Sequence, residues 1–299
     1  MPLGPLKTRL GLRRAFAAAR GSAVWAILFV CLLALNLGQL ASLVVLPFSR
    51  KAFRRFNRWA ANTWWGACVL TARHLNGTRF VVTGDDLPHG ENAIVVANHQ
   101  QMPDITTIMD LALVKGRLGD LKWFVKDALK WAPGIGWGMR FLSCPFVKRN
   151  WTADRASVEH TFHALVAERQ PMWLVIFAEG TRLTPAKLLR SRAYALREGL
   201  YAAEHVLLPR TKGFAAAVGV LRDHVSAVYD LTIGYVEGVP TLGQYITGAV
   251  RRVHLHARRF AIDTLPREED ALALWLRQRF EEKDRLLATY YASGSFVTE

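Results

Sequence analysis

No aspartate or glutamate occurs before Asp85 in this 299-residue chain, although twelve lysines and arginines do. The residues from Asp85 onward hold 27 basic and 24 acidic side chains, so nearly all of the formal net charge of +15 belongs to the N-terminus. A nucleic-acid binder with a uniformly basic surface is thereby excluded. Cysteine is scarce too: Cys31, Cys68 and Cys144 are scattered, which rules out a disulfide scaffold and fits a reducing, cytosol-facing environment. The chain has no internal repeat and no low-complexity linker. It also lacks a Gly-x-Ser-x-Gly elbow, a phosphate-cradling Gly-x4-Gly-Lys-Ser/Thr loop and a His-Glu-x-x-His metal helix. What it has in excess is apolar surface: 51% of its residues are hydrophobic, high for a purely water-exposed protein.

Much of that excess is concentrated. Residues 21–49 carry no formal charge and as one helix would reach roughly 43 Å, more than the roughly 30 Å of bilayer hydrocarbon. No small-x-small cleavage site follows, which argues for membrane insertion over a removed signal peptide. Lys7, Arg9, Arg13, Arg14 and Arg20 precede the segment, and Arg50, Lys51, Arg54, Arg55 and Arg58 follow it, so the positive-inside rule selects no orientation. A reversal at Asn36-Leu-Gly-Gln39 would explain the balance by leaving both flanks on the anionic cytoplasmic leaflet, the alternative being a tilted span. Residues 52–72 place Phe53, Phe56, Ala60, Trp64 and Ala67 on one helical stripe opposite arginines, the pattern of an interfacial amphipathic helix, although a core helix fits almost as well. The expected organisation is a basic, membrane-anchoring segment over 1–74, with an inserted helix at 22–48 and an amphipathic helix at 52–72, followed by a body over 75–299.

In the body, short apolar runs ending in polar clusters alternate with helical periodicities, which indicates an α/β domain. Strands are expected at 79–83, 93–97, 123–125, 173–177, 206–208, 227–235 and 252–257, and helices at 103–115, 127–141, 153–168, 186–202, 212–222 and 267–290. The last helix follows Pro266 with acids in its first turn and a stripe of Leu272, Trp275, Leu276 and Phe280. Ligand sites in open α/β sheets gather where strands end, so the polar clusters there matter most. The run 94–97 leads into Asn98-His99 and, beyond Pro103, Asp104. Pro103 suits the first helical position, which puts Asp104 in a first turn and His99 in the preceding loop. Residues five apart on one helix diverge by roughly 140°, so only a loop-to-helix transition brings imidazole and carboxylate together. Such a pair makes a histidine base; for an isolated pair, a helix-terminus carboxylate beside an ordinary loop histidine is the commoner explanation.

Context shifts that balance. The run 173–177 leads into Glu179-Gly180-Thr181-Arg182, which combines both charge signs, a hydroxyl and a flexible glycine. Lys148 and Arg149 follow an apolar pair, and Arg210 and Lys212 follow Pro209. Together these cations suit an anionic, phosphate-bearing ligand. Gly134-Ile-Gly136-Trp-Gly138 lacks the spacing of a dinucleotide loop, and His254 and His256 have no third partner that would make a metal site.

His99 with four residues to Asp104, Phe146-x-x-Arg149, Glu179-Gly180-Thr181-Arg182 and an apolar run ending at Pro209 resemble, in order, the four motifs of the lysophosphatidic acid acyltransferase (1-acyl-sn-glycerol-3-phosphate O-acyltransferase) family. The resemblance runs from about residue 90 to 215. It implies a glycerolipid acyltransferase-like fold, a mixed sheet flanked by helices. It further implies transfer of a fatty acyl group from acyl-CoA or acyl carrier protein to the sn-2 hydroxyl of lysophosphatidic acid. On these terms His99 is the general base and Asp104 its orienting partner. Arg149, Glu179, Gly180, Thr181 and Arg182 bind the glycerol phosphate, with Lys148 and Lys212 supporting, and Pro209 shapes the acyl-donor side. No metal or cofactor is implied, and the partners are a phospholipid membrane, a lysophospholipid and a thioester, with no nucleic acid. Two departures point to a different head group as an alternative. Gln100 to Pro103 replace a spacer that usually holds a small hydroxyl residue, and Arg210-Thr211-Lys212 replace an apolar continuation. Another lysophospholipid or an amino-lipid is the nearest rival acceptor. A non-catalytic adaptor for anionic membranes is the rival from another class, and His99 with Asp104 counts against it.

Overall fold

The structure, a computed structural model, describes residues 4–8, 11–148 and 150–296. It opens with two long helices, α1 (Leu12–Ala41) and α2 (Arg50–Leu70). Pro47 lies in the reversal between them, and Ser49 caps α2 by accepting the Ala52 N–H at 3.1 Å. The expected reversal at Asn36–Gln39 does not occur, because the helix runs unbroken through it. Those polar side chains are satisfied in place: Asn36 donates to Gln39 Oε1 at 2.9 Å and accepts the Gly134 N–H at 2.8 Å.

α1 meets the rest of the molecule along its length. Just before it, Leu6 N–H donates to the Val239 carbonyl at 3.0 Å. Gly21 sits so close to the chain at Ile246 that a Cβ there would lie 2.7 Å from the Ile246 carbonyl oxygen. Trp64 donates to the Leu28 carbonyl at 2.8 Å. The opposite face exposes Ile27, Val30 and Leu37, and the segment Ala15–Val44 is long and apolar enough to cross a membrane.

α2 differs from the expected interfacial helix. Besides the stripe from Phe53 to Ala67 it carries a second one, Ala61, Trp65 and Val69, which continues to Ala72 and enters the core. Three of its arginines pair with protein carboxylates, Arg50 and Arg54 with Glu168 and Arg58 with Asp120. The packed body therefore begins within α2, so the division expected at 74/75 cuts through a core.

The sheet contains β1 (Arg79–Gly84), β2 (Ala93–Ala97), β3 (Leu121–Trp123), β6 (Trp173–Phe177), β7 (Ala227–Gly234) and β8 (Arg252–Ala261), in the order β1-β8-β7-β2-β6-β3. A separate parallel pair joins β4 (Val125–Lys126) and β5 (Phe146–Val147). β7, β2, β6 and β3 are mutually parallel, while β8 runs antiparallel to β7 and parallel to β1. β2 is buried on both sides, which accounts for its unbroken apolar run. Ala93, Val95 and Ala97 face a core shared with α2 and α3 (Pro103–Val114). Ile94 and Val96 face a second core formed with α5 (Trp151–Ala167), α7 (Lys212–Leu221) and α9 (Glu269–Ser293). The result is a mixed sheet flanked by helices. α6 (Pro185–Arg197) lies between β6 and α7 in the chain, and α8 (Leu242–Ile246) is a short capped helix that the sequence pattern does not announce.

Three expected elements change form. The strand expected at 123–125 is split at Phe124 between β3 and β4, which belong to separate sheets. The helix expected at 127–141 is interrupted at Pro133-Gly134, leaving α4 at Ile135–Phe141. Residues 206–208 form no strand, and side chains take their backbone donors: Leu207 N–H donates to Glu179 at 3.2 Å and Leu208 N–H to Ser191 at 2.9 Å.

Candidate active site

The parallel strands β6, β2 and β7 deliver their carboxyl ends together. Register pairs Ala97 with Phe177 on one side and Leu231 on the other, so the loop after β2 emerges between its neighbours. Asn98 prolongs the ladder with its side chain, donating to the Ile233 carbonyl at 3.0 Å and accepting the Ile233 N–H at 2.8 Å. His99 follows with its imidazole stacked on Phe177, ring centroids 4.0 Å apart.

Pro103 does open α3, and Asp104 stands in its first turn, as the sequence implies. Asp104 is fully buried and accepts four hydrogen bonds. Its Oδ2 receives His99 Nδ1 at 2.9 Å and the N–H groups of Gln100 and Gln101 at 2.7 and 2.8 Å, and its Oδ1 receives the Tyr235 hydroxyl at 2.5 Å. Burial first, then the Asp104 charge, raises the pKa of Tyr235, so this phenol acts as a donor. The carboxylate assigns the proton to Nδ1 and leaves Nε2, without a hydrogen-bond partner among the described residues, as the basic nitrogen. The His99 side chain is 12% exposed.

Glu179 takes a place the sequence does not reveal. Expected to contact a glycerol phosphate, it is instead 3% exposed, with Oε1 accepting the His99 N–H at 2.7 Å and Oε2 the Leu207 N–H. It braces the histidine loop against the 204–209 loop, which Asp284 of α9 holds in turn by accepting the N–H groups of Glu204 and His205 at 2.9 and 2.6 Å. Burial pushes the Glu179 carboxyl up to about 8, against the pull of its two backbone donors. Glu179→Ala orphans both donors, so a loss of about 2–4 kcal/mol in unfolding free energy is expected in detergent-solubilised protein. The pH dependence has a definite sign. A folded carboxyl titrating near 8 instead of 4.5 contributes stability that is complete below about 4.5 and lost as pH rises through 8. The stability of wild type relative to Glu179→Gln should therefore fall between pH 5 and 8, as followed by denaturant titration.

The loop after Glu179 carries the cations. Gly180 has φ +68 and lies under Arg210, whose Cδ and Nε come within 3.0 Å of where a Cβ would stand. Arg182 donates to Gln101 Oε1 at 2.7 Å, which links this loop to the histidine loop. Lys187 of α6 donates to Thr181 Oγ1 at 2.6 Å and to the Arg182 carbonyl at 3.0 Å. Lys148 and Lys212 are exposed, and Arg149 lies outside the described residues. Pro209 is buried and lines a cavity of about 150 Å³ with Leu207, Tyr201 and Phe280. The structure thus gathers His99, Asp104, Glu179, Gly180, Thr181 and Arg182. It brings Arg210, one of the cations named from the sequence, over Gly180, and it adds Tyr235, Gln101 and Lys187 to that group. Among the described residues no group of three or more His, Cys, Asp or Glu is placed to hold a metal.

A base nitrogen beside a cationic loop can take a proton from a hydroxyl whose carrier is anionic. Comparison with known proteins bears on what that carrier is. A family model described as acyltransferase matches residues 79–235, more than half of the chain. The chain belongs to the acyltransferase family. A second family model, described as acyltransferase C-terminus, matches residues 244–299. Among its relatives, the 1-acyl-sn-glycerol-3-phosphate acyltransferase 2 of Arabidopsis thaliana is 35% identical over 90% of this chain and 71% of its own length. The probable 1-acyl-sn-glycerol-3-phosphate acyltransferase 5 of the same plant is 33% identical over 88% and 70%. Lysocardiolipin acyltransferase 1 of Gallus gallus is 32% identical over 81% of this chain and 66% of its own. The crystal structure of PlsC, the 1-acyl-sn-glycerophosphate acyltransferase of Thermotoga maritima, superposes on 87% of this chain and 96% of that one, with a TM-score of 0.48 and 19% identity. This acyltransferase is 1-acylglycerol-3-phosphate O-acyltransferase-like.

Proposed function

We propose that the protein acylates the sn-2 hydroxyl of lysophosphatidic acid from an acyl thioester, acyl-CoA or acyl carrier protein, to give phosphatidic acid. The observation that carries this reading is the His99–Asp104 contact of 2.9 Å, with Nε2 left unpartnered beside the Arg182 loop. In this reading His99 Nε2 accepts the hydroxyl proton as the oxygen attacks the thioester carbonyl. The C–O bond forms, the C–S bond breaks, and the departing thiolate receives the proton from the imidazolium. Asp104 holds the ring and stabilises its charged form. Arg182 binds the acceptor phosphate, with Thr181 beside it.

The family relationship to enzymes named for 1-acylglycerol 3-phosphate supports this acceptor. The lysocardiolipin acyltransferase relative favours a second reading, a lysolipid with another phosphate-bearing head group. Purified protein given a labelled acyl thioester and a panel of lysolipids decides between them. Phosphatidic acid is the expected principal product. Exclusive acylation of another lysolipid would select the second reading, and acylation of none would end both. Arg182→Ala should raise the acceptor KM about tenfold or more with little change in kcat, as measured by initial rates. An unchanged KM would remove the phosphate role.

In the same reading, α1 lies in the cytoplasmic membrane surface with its outer face in lipid. Support comes from its contacts with the body at Gly21, Leu28 and Asn36 and from the pairing of Leu6 with Val239 just before it. A cysteine introduced at position 5 of a cysteine-free variant should react with a thiol reagent only on the side that holds His99. Reaction only from the opposite side would require α1 to span the membrane.

A further inference from the structure

The cations around the active site outnumber what one phosphate needs. Arg182, Lys187, Arg210 and Lys212 stand on three adjoining segments: the loop after β6, the first turns of α6, and the 209–212 connection into α7. Contacts link the first three. Lys187 bonds Thr181 and the Arg182 carbonyl, Arg210 lies across Gly180, and the Arg210 N–H donates to the Ala178 carbonyl at 2.7 Å. Among the described residues none of the four makes an ion pair. On the same helix as Lys187, Arg192 is paired with Glu204 and Arg197 with Glu198, while Arg190 donates to the Ala186 carbonyl. The acidic groups embedded in the site do not neutralise them: Asp104 faces His99 and backbone N–H groups, and Glu179, with its carboxyl pushed up to about 8, is mostly uncharged at neutral pH. A phosphate monoester carries about −1.5 to −2 at neutral pH, so one such group leaves about two of these four positive charges unmatched. Unmatched like charges held this close repel, a cost that a second anion removes.

We infer that Lys187 and Arg210 form a second phosphate subsite beside the one at Arg182. The proposal rests on the acyl-transfer reading and sharpens its substrate class: between them, donor and acceptor present at least two phosphate groups to this rim. The second phosphate belongs either to the thioester's carrier or to a doubly phosphorylated lysolipid head group. Gly180 serves the subsite by leaving room for the Arg210 side chain over the loop.

Kinetics with the full-length protein distinguish the two sources. Arg210→Gln and Lys187→Gln are each compared with wild type on oleoyl-CoA and on oleoyl-N-acetylcysteamine, a thioester without phosphate. Acceptors are lysophosphatidic acid, with one phosphate, and a lysolipid with two. A KM raised about tenfold or more for oleoyl-CoA but not for the phosphate-free thioester, with kcat nearly kept, assigns the subsite to the donor. The same selective rise for the two-phosphate acceptor assigns it to the lipid. Arg210→Lys should recover part of the loss. Binding is read apart from turnover by titrating the His99→Ala protein, with and without Arg210→Gln, with inorganic phosphate and with pyrophosphate. The expected result is pyrophosphate affinity lowered about tenfold by Arg210→Gln, with phosphate affinity nearly unchanged. Equal weakening of both, or of neither, overturns the second subsite, whatever the protein acylates. Failure of wild type to acylate any lysolipid, with the titration result as expected, would instead overturn the acyl-transfer reading alone.

Discussion

His99→Ala is expected to lower acyl transfer by about 10²- to 10⁴-fold, the range contributed by a positioned general base. The protein should remain folded, because His99 carries little of the core. Its ring covers Phe177 at the carboxyl end of β6, while the backbone contacts of that loop, the N–H to Glu179 and the carbonyl to Leu183 at 2.8 Å, do not involve the side chain. Asp104 would keep three of its four donors. Initial rates with saturating thioester, together with circular dichroism of the purified variant, check both halves. Loss of activity with loss of fold would say nothing of catalysis, so His99→Gln, closer in size, is the companion variant. It should be as inactive as the alanine form.

Asp104 produces the second large effect, and its two substitutions separate catalysis from folding. Asparagine can set its amide oxygen toward the Gln100 and Gln101 N–H groups and its amide N–H toward the Tyr235 oxygen, so the buried hydrogen bonds are largely rebuilt. What it cannot supply is the negative charge that stabilises imidazolium. Asp104→Asn is therefore expected to lose about 10²- to 10³-fold in kcat with a modest loss of stability. Asp104→Ala removes the acceptor altogether and orphans two buried N–H groups and a phenol. A loss of about 3–6 kcal/mol in unfolding free energy is expected on top of the catalytic loss, enough to unfold many proteins. If the asparagine variant kept the wild-type kcat, the charge of Asp104 would have no part in the reaction.

The elements legible in the sequence are those in which one constraint dominates. β2 and β6 are central strands buried on both faces, so they appear as bare apolar runs, and both match at every residue. His99 and Asp104 could be joined on paper because Pro103 announces where the helix starts. The misread features are those in which a residue's direction matters more than its type. Glu179 occupies the loop position expected of it yet points inward, and nothing in Glu-Gly-Thr-Arg indicates that the backbone beneath offers two unpaired donors. Tyr235 directly follows the apolar strand β7 and resembles any core aromatic in the sequence, yet its hydroxyl donates to Asp104. Lys187 is one lysine on a polar helix face, adjacent to the site only because α6 folds back over Thr181. In α2 the stripe from Phe53 suits an interfacial and a core helix almost equally, and it is the second stripe through Trp65 that joins the core.

The central claim is that a lipid hydroxyl, activated by His99, attacks the thioester directly. Thiol release from acyl-CoA by the purified protein tests it most directly, with lysophosphatidic acid compared with its 2-deoxy analogue, and wild type with His99→Ala. Release should require both the hydroxyl and the histidine, falling about 100-fold or more when either is missing. Undiminished release with the deoxy analogue, or by the His99→Ala protein, would contradict the account.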